Sequence, residues 1–153
     1  MKIWVDADAC PKAIKDILVR AAGRVGVRTI FIANQPMRLP ESEFVRKIQV
    51  QGGSDVADDK IVELLQSGDL VITADIPLAA RVVDKGVVAL DPRGDFYSKE
   101  NIRERLSIRD FMDGLRSTGV ETGGPASFKQ KDSQAFANQL DRFLTKHARK
   151  KNE

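Results

Sequence analysis

From Lys2 to Leu90, short apolar runs alternate with segments of helical spacing, and aspartates follow several of those runs. KIWV, Lys2 to Val5, is built of strand formers and runs into DADACP. Pro11 suits a first helical turn, where its missing N–H has no partner to lose. Ile14, Ile17, Leu18 and Ala21 then recur at helical spacing to about Ala22, with Gly23 and Gly26 as stops. VRTIFIA, Val27 to Ala33, reads as a second strand, and Asn34 to Ser42, with two prolines, as a loop. Further strands are expected at Phe44 to Val50, Leu70 to Thr73 and Val87 to Leu90, with helices at about Val56 to Leu65 and Ile76 to Val83. Parallel strands need long crossovers, and helices supply them. The pattern therefore predicts a three-layer α/β domain: a mostly parallel central sheet of about four or five strands with helices on both faces.

Beyond Leu90 the rhythm changes. DPRGDFYSKENIRERL is polar and reads as turns, and SIRDFMDGLRSTG as a helix with Phe111, Met112 and Leu115 inward. Gly119 to Asp132 is a glycine-rich loop. Ser133 to about Lys146 is an amphipathic helix carrying Phe136, Leu140, Phe143 and Leu144 on one side, and HARKKNE is a frayed basic end. Residues 91–153 thus read as a helical elaboration with a basic tail on a single domain spanning 1–153.

A chain of 153 residues can bury one sizeable core. Its net charge of +3 permits a nucleic-acid partner without demanding one. Cys10 is the only cysteine, so no internal disulfide forms and a reducing, cytoplasmic setting is expected. Neither a signal-peptide pattern nor a membrane-length apolar run is present in the sequence. No Gly-x-Gly-x-x-Gly follows the first strand and no P-loop lysine motif occurs, which argues against dinucleotide and P-loop sites.

In open parallel sheets, ligands gather beyond the carboxyl ends of the strands. Asp6 and Asp8, Asp75 and Asp91 each follow a strand, and Asp55, Asp58 and Asp59 open a helix after another. Asp55 and Asp59 share a helical face. Crowded carboxylates must take up a proton or a cation. Oxygen-only donors suit Mg²⁺ or Mn²⁺, whereas Cys10 and His147 make a poor zinc set. Capping is the competing account: Asp8 for the first helix, Ser54 or Asp55 for the second, Asp75 for the third, and Asp91-Pro92-Arg93-Gly94 as a turn. It leaves Asp6 beside Asp8, and Asp58 beside Asp59, without a reason. Cys10 near a helix start has no histidine at hand as a base, and packing against the sheet is expected of it.

VDADACP (Val5 to Pro11), GGSDVADDKI (Gly52 to Ile61) and TADIPLA (Thr73 to Ala79) closely resemble the YaiI/YqxD family of bacterial proteins, also called UPF0178. The similarity continues through DPRGDFY, RDFMDGLR and TGGP and covers nearly the whole chain. The resemblance implies a PIN-like fold, a group rich in metal-dependent ribonucleases that hold acids after the first strand, at a central helix and after a later strand. Asp6 or Asp8, Asp58 or Asp59, and Asp75 match those places, with Asp6, Asp8, Asp59 and Asp75 favoured as catalytic. Asp55, Asp58 and Asp91 complete the candidate metal ligands. The fourth acid of such sites matches poorly, because Asp91 is followed by proline.

Arg81, Lys85 and Arg93 lie near the acids in sequence and are candidates to hold phosphate. Gly123 and Gly124 could form an anion-receiving nest, and Lys146, Arg149, Lys150 and Lys151 a weak nucleic-acid attraction. Tyr97 and Phe96 are the aromatics placed for base stacking. The expected function is a Mg²⁺- or Mn²⁺-dependent phosphodiester hydrolase acting on RNA. Two alternatives stand beside it: a non-catalytic RNA- or nucleotide-binding module, and a small-molecule phosphatase using the Asp6/Asp8 pair.

Overall fold

The computed structural model describes residues 1–124 and 127–149, with backbone alone for 148 and 149. Pro125 of the TGGP stretch and the tail lysines Lys150 and Lys151 lie outside the described residues. Five parallel strands form one sheet: β1 (Lys2–Asp6), β2 (Arg28–Ala33), β3 (Val45–Gln49), β4 (Leu70–Ile72) and β5 (Val88–Leu90), in the order β3-β2-β1-β4-β5. Trp4 pairs with Ile30 on one side and Val71 on the other. The chain builds outward from β1 through β2 to β3, then returns to β1's other side with β4. That reversal puts the carboxyl ends of β1 and β4 side by side with their connections leaving in opposite directions, which opens a crevice between them.

Each face of the sheet carries a core. Ile3, Val5, Phe31, Ile72 and Leu90 pack against α1 (Lys12–Val25) and α5 (Gln130–Arg149) through Ile14, Leu18, Phe136 and Leu140. On the other face Trp4, Ile30, Ile32, Val71 and Ala89 meet Ala57 and Ile61 of α2 (Ser54–Leu64). They also meet Leu78 and Val82 of α3 (Ile76–Asp84), and Ile102 of α4 (Lys99–Ser117) adds to the same core. The expected three-layer α/β architecture is the one observed.

Local chemistry explains the boundaries. Gly26, not Gly23, ends α1: it takes φ 74°, the left-handed conformation, and returns its N–H to the Ala22 carbonyl. The β2–β3 crossover is the proline-bearing loop rather than a helix. Gly94 closes the Asp91–Gly94 turn at φ 95° against the α5 backbone, where a Cβ would stand 2.8 Å from the Ala135 carbonyl carbon.

Several expectations are corrected. The SKENIRERL stretch is helical, because the Ser98 hydroxyl accepts from the Asn101 N–H while the Asn101 side chain accepts from the Ser98 N–H, a reciprocal cap that starts α4. Phe111 and Met112 face solvent, since α4 leaves the body of the protein after Leu106. α5 starts before Ser133 and runs on through His147, whose ring stacks on Phe143 at 4.1 Å. Among the described residues no helix is long and apolar enough to cross a membrane.

Candidate functional site: an acidic crevice at the sheet reversal

β1 ends on Asp6, whose side chain shares a sheet face with Trp4 and is only 7 % exposed. A buried carboxylate needs a donor, and Thr73, one residue past β4, supplies it: its hydroxyl donates to Asp6 Oδ2 at 2.8 Å. The same hydroxyl accepts from the Asp75 N–H at 2.9 Å, which shapes the turn into α3. Asp75 then caps α3, its Oδ1 accepting from the Leu78 N–H at 3.0 Å, with Pro77 in the first turn. The capping account is right for Asp75.

Asp58, on α2, faces the same crevice. Burial raises its carboxyl first, then the charges of Asp75, Asp6 and Asp55 raise it further, with Arg81 opposing; the result is a group titrating near pH 7. Asp6 is also raised, chiefly by burial and then by Asp75 and Asp8, against the Thr73 hydrogen bond. The charge of Asp75 therefore reaches both Asp6 and Asp58, and that of Asp6 reaches Asp58. Among the described residues none donates a hydrogen bond to the Asp58 side chain.

The neighbouring acids have other work. Asp59, expected as the catalytic acid of that pair, is exposed and pairs with Arg81 at 2.8 Å, one helical step away from the crevice. Asp8 does not cap α1; Pro11 stands at that cap without a side-chain bond. Both Asp8 oxygens accept backbone N–H groups of the β2–β3 loop, from Asn34 at 2.7 Å and Gln35 at 3.3 Å. Asn34 in turn accepts from Gly53 N–H at 2.9 Å, tying that loop to the start of α2. Gly53 is the α2 cap position, so neither Ser54 nor Asp55 caps that helix, and Asp55 is exposed.

Asp91 is buried and held by three donors: Arg93 N–H at 2.6 Å, Tyr97 hydroxyl at 3.2 Å and Arg105 at 3.3 Å. Its charge is already compensated. Tyr97, expected as a stacking surface, is buried, and its hydroxyl also lies 3.0 Å from the Thr73 carbonyl. Phe96 likewise packs inward, 6.3 Å from Phe143.

The phosphate-holding candidates do not converge on the crevice. Arg81 is taken by Asp59. Lys85 donates to the Val62 carbonyl at 2.8 Å. Arg93 turns to α5, pairing with Asp132 at 3.0 Å over the Phe128 ring. Gly123 and Gly124 line an open depression with Arg116 and Val120 in the loop after α4. Cys10 is buried and its thiol is pushed up to about 12, first by burial, so it is no nucleophile.

Three residues not expected at the site shape its acids: Thr73 is the donor that fixes Asp6, and Tyr97 and Arg105 are the groups that neutralise Asp91. Thr-Ala-Asp carried the first signal: a hydroxyl two residues before a helix cap is placed to bond both ways. The crevice offers oxygen donors alone, which match the chemistry of Mg²⁺ or Mn²⁺. Among the described residues no group of three or more histidine, cysteine, aspartate or glutamate side chains is placed to hold a metal ion.

The family model described as "Uncharacterized BCR, YaiI/YqxD family" matches residues 4–146. A UPF0178 protein of Hahella chejuensis is 62 % identical over 146 residues, covering 95 % of this chain and 97 % of the relative. One from Herminiimonas arsenicoxydans is 60 % identical over 95 % of this chain and 98 % of its own, and one from Shewanella woodyi 58 % identical over 96 % and 97 %. No solved structure matches the chain.

Proposed function

The chain belongs to the YaiI/YqxD family, and from that premise we propose that the crevice is the active site of a divalent-cation-dependent phosphodiester hydrolase acting on RNA. One observation carries the reading: at the sheet reversal Asp58 and Asp6 are both held above the usual carboxylate range, by burial first and then by neighbouring acids that include Asp75, while Arg81 is spent on Asp59. Uncompensated negative charge at the carboxyl ends of parallel strands is what a hard cation relieves. Asp6 and Asp75 would hold the ion, with Asp58 beside it and outside its ligand set. A cation bound there would supply a Lewis acid and a water of lowered pKa.

The residues themselves supply the rest. Thr73 fixes the rotamer of Asp6 and, through the Asp75 N–H, the turn that presents Asp75. Asp58, titrating near neutrality, is suited to take a proton from water and return it to the leaving oxygen. The phosphatase alternative loses support because Asp8 is committed to the β2–β3 loop. The binding-module alternative predicts RNA binding that is indifferent to EDTA.

Mn²⁺ titration by calorimetry, on the wild type, Asp58→Asn and Asp75→Asn, tests the reading together with metal-dependent cleavage of single-stranded RNA. Asparagine still caps a helix, so Asp75→Asn spares α3. The expected result is saturable binding weakened at least ~10-fold in each variant, with cleavage lost in parallel. A folded wild type that binds no Mn²⁺, alone or with RNA, overturns it.

A further inference from the structure

We propose that the outer half of α4 is a self-association surface on which two copies of this chain pair as antiparallel helices. From Ser107 to Glu121 every residue except Leu115 is exposed. Within this half, Ile108, Phe111, Met112 and Leu115 recur at positions i, i+3, i+4 and i+7, which places them on one face of the helix. Phe111 is 65 % exposed and Ile108 53 %. Val120 extends the stripe, because its N–H turns back to the Leu115 carbonyl at 3.1 Å. A solvated helix face has no use for four apolar residues at core spacing.

Area and charge point to a second copy as the occupant. The exposed apolar side chains amount to a patch on the order of 350 Å² per copy, the size at which a monomer's patch is usually functional. Two such patches, at the ordinary apolar share of an interface, correspond to about 1,200 Å² in all, the lower bound of a specific dimer. The stripe is centred between Phe111 and Met112. An antiparallel partner sharing that centre sets Ile108 of one copy against Leu115 of the other, and Phe111 against Met112.

One flank of the stripe carries Arg109 and Arg116, and each is paired to Asp113 within its own helix. The segment 108–117 holds two arginines and two aspartates, so two copies meet without net repulsion despite the chain's charge of +3. The other flank carries Ser107 and Gly114, and a Cβ added at Gly114 would meet nothing within 4 Å. Small residues there let the helices approach closely.

Sedimentation velocity over a wide concentration range, on the full chain and on Phe111→Glu, reads the proposal. The wild type should dimerise, and Phe111→Glu should weaken the dissociation constant at least ~100-fold with an unchanged far-UV spectrum. Cross-linking fixes the geometry. With a short bismaleimide, Met112→Cys should link two copies, whereas Ser117→Cys, which the antiparallel register carries far from its counterpart, should not. A wild type that stays monomeric overturns the proposal and assigns the stripe to a different protein. A dimer that survives Phe111→Glu, or that links equally through Ser117→Cys, overturns the α4 register.

Discussion

The Thr73 hydroxyl donates to Asp6 at 2.8 Å and accepts from the Asp75 N–H at 2.9 Å, so one side chain fixes two of the crevice's three acids. Thr73→Val keeps the shape and removes both bonds. Asp6 is buried, and a hydrogen bond to a charged group contributes about 1.5–3 kcal/mol. The variant should lose roughly 2 kcal/mol in denaturant unfolding at neutral pH. The carboxyl of Asp6 should also titrate higher still, because the lost bond is the one that holds it down; carbon NMR of the aspartate carboxyls checks this.

Asp58 sets a pH dependence. Its carboxyl is raised from 3.8 to about 7 in the folded chain. Between those values the native state holds more protons than the unfolded one, so stability falls as pH rises and levels off above about 7. Asp6, whose carboxyl is also raised by burial, works in the same direction. Asp58 is partly solvated, and after that discount the loss is about 1 kcal/mol. Melting curves should show a midpoint higher near pH 5.5 than near pH 8, roughly the span over which this group ionises. Asp58→Asn should flatten the difference and be the more stable protein at the alkaline end. A midpoint that rises from acid to neutral pH in the wild type, unchanged in the variant, would refute the assignment.

The parts of this fold that follow from local period were legible. Alternating β1, α1, β2 and the later strands announce themselves, because a strand buried on both faces must be apolar throughout and a crossover helix must be apolar on one side. The site was legible only to its neighbourhood. Asp58 and Asp59 are adjacent in sequence and about 100° apart on α2, and which one faces the crevice depends on how Ala57 and Ile61 seat the helix on the sheet. Asp91 is indistinguishable in sequence from a free acid until Tyr97 and Arg105 are seen upon it. Phe111 and Met112 carry the period of a core face, and period alone cannot tell whether the chain's own core or another copy lies beneath.

Cys10 should behave as a packed apolar side chain. It is 8 % exposed, lies in the core shared with α1 and α5, and its thiol is held near 12. Alkylation or disulfide exchange needs the thiolate. Native protein at pH 8 should therefore react with an aromatic disulfide reagent only at the rate of global unfolding, and at full speed in denaturant. Cys10→Ala should leave Mn²⁺ affinity unchanged. Fast labelling of the native chain would show that burial is not what governs this thiol.

Arg105 joins α4 to the sheet. Its guanidinium reaches Asp91 at 3.3 Å and sits 4.3 Å from the centre of the Tyr97 ring, while Tyr97 reaches the Thr73 carbonyl. The chain of contacts runs from the helix that leaves the body of the protein to the residue that orients Asp6. Removing Arg105 strands the Asp91 carboxylate, which is 8 % exposed, without its only ion pair among the described residues. Arg105→Ala should cost about 2 kcal/mol, since breaking one partner of a poorly solvated pair is worse than lacking the pair. Arg105→Lys should recover only part of that, because an ammonium keeps the charge but gives up the planar stacking on Tyr97. Replacing both partners, Arg105→Met with Asp91→Asn, should recover more than the lysine does. If the double variant is as unstable as Arg105→Ala, the cost lies in lost packing over Tyr97 rather than in the stranded charge, and unfolding of the three variants side by side separates the two.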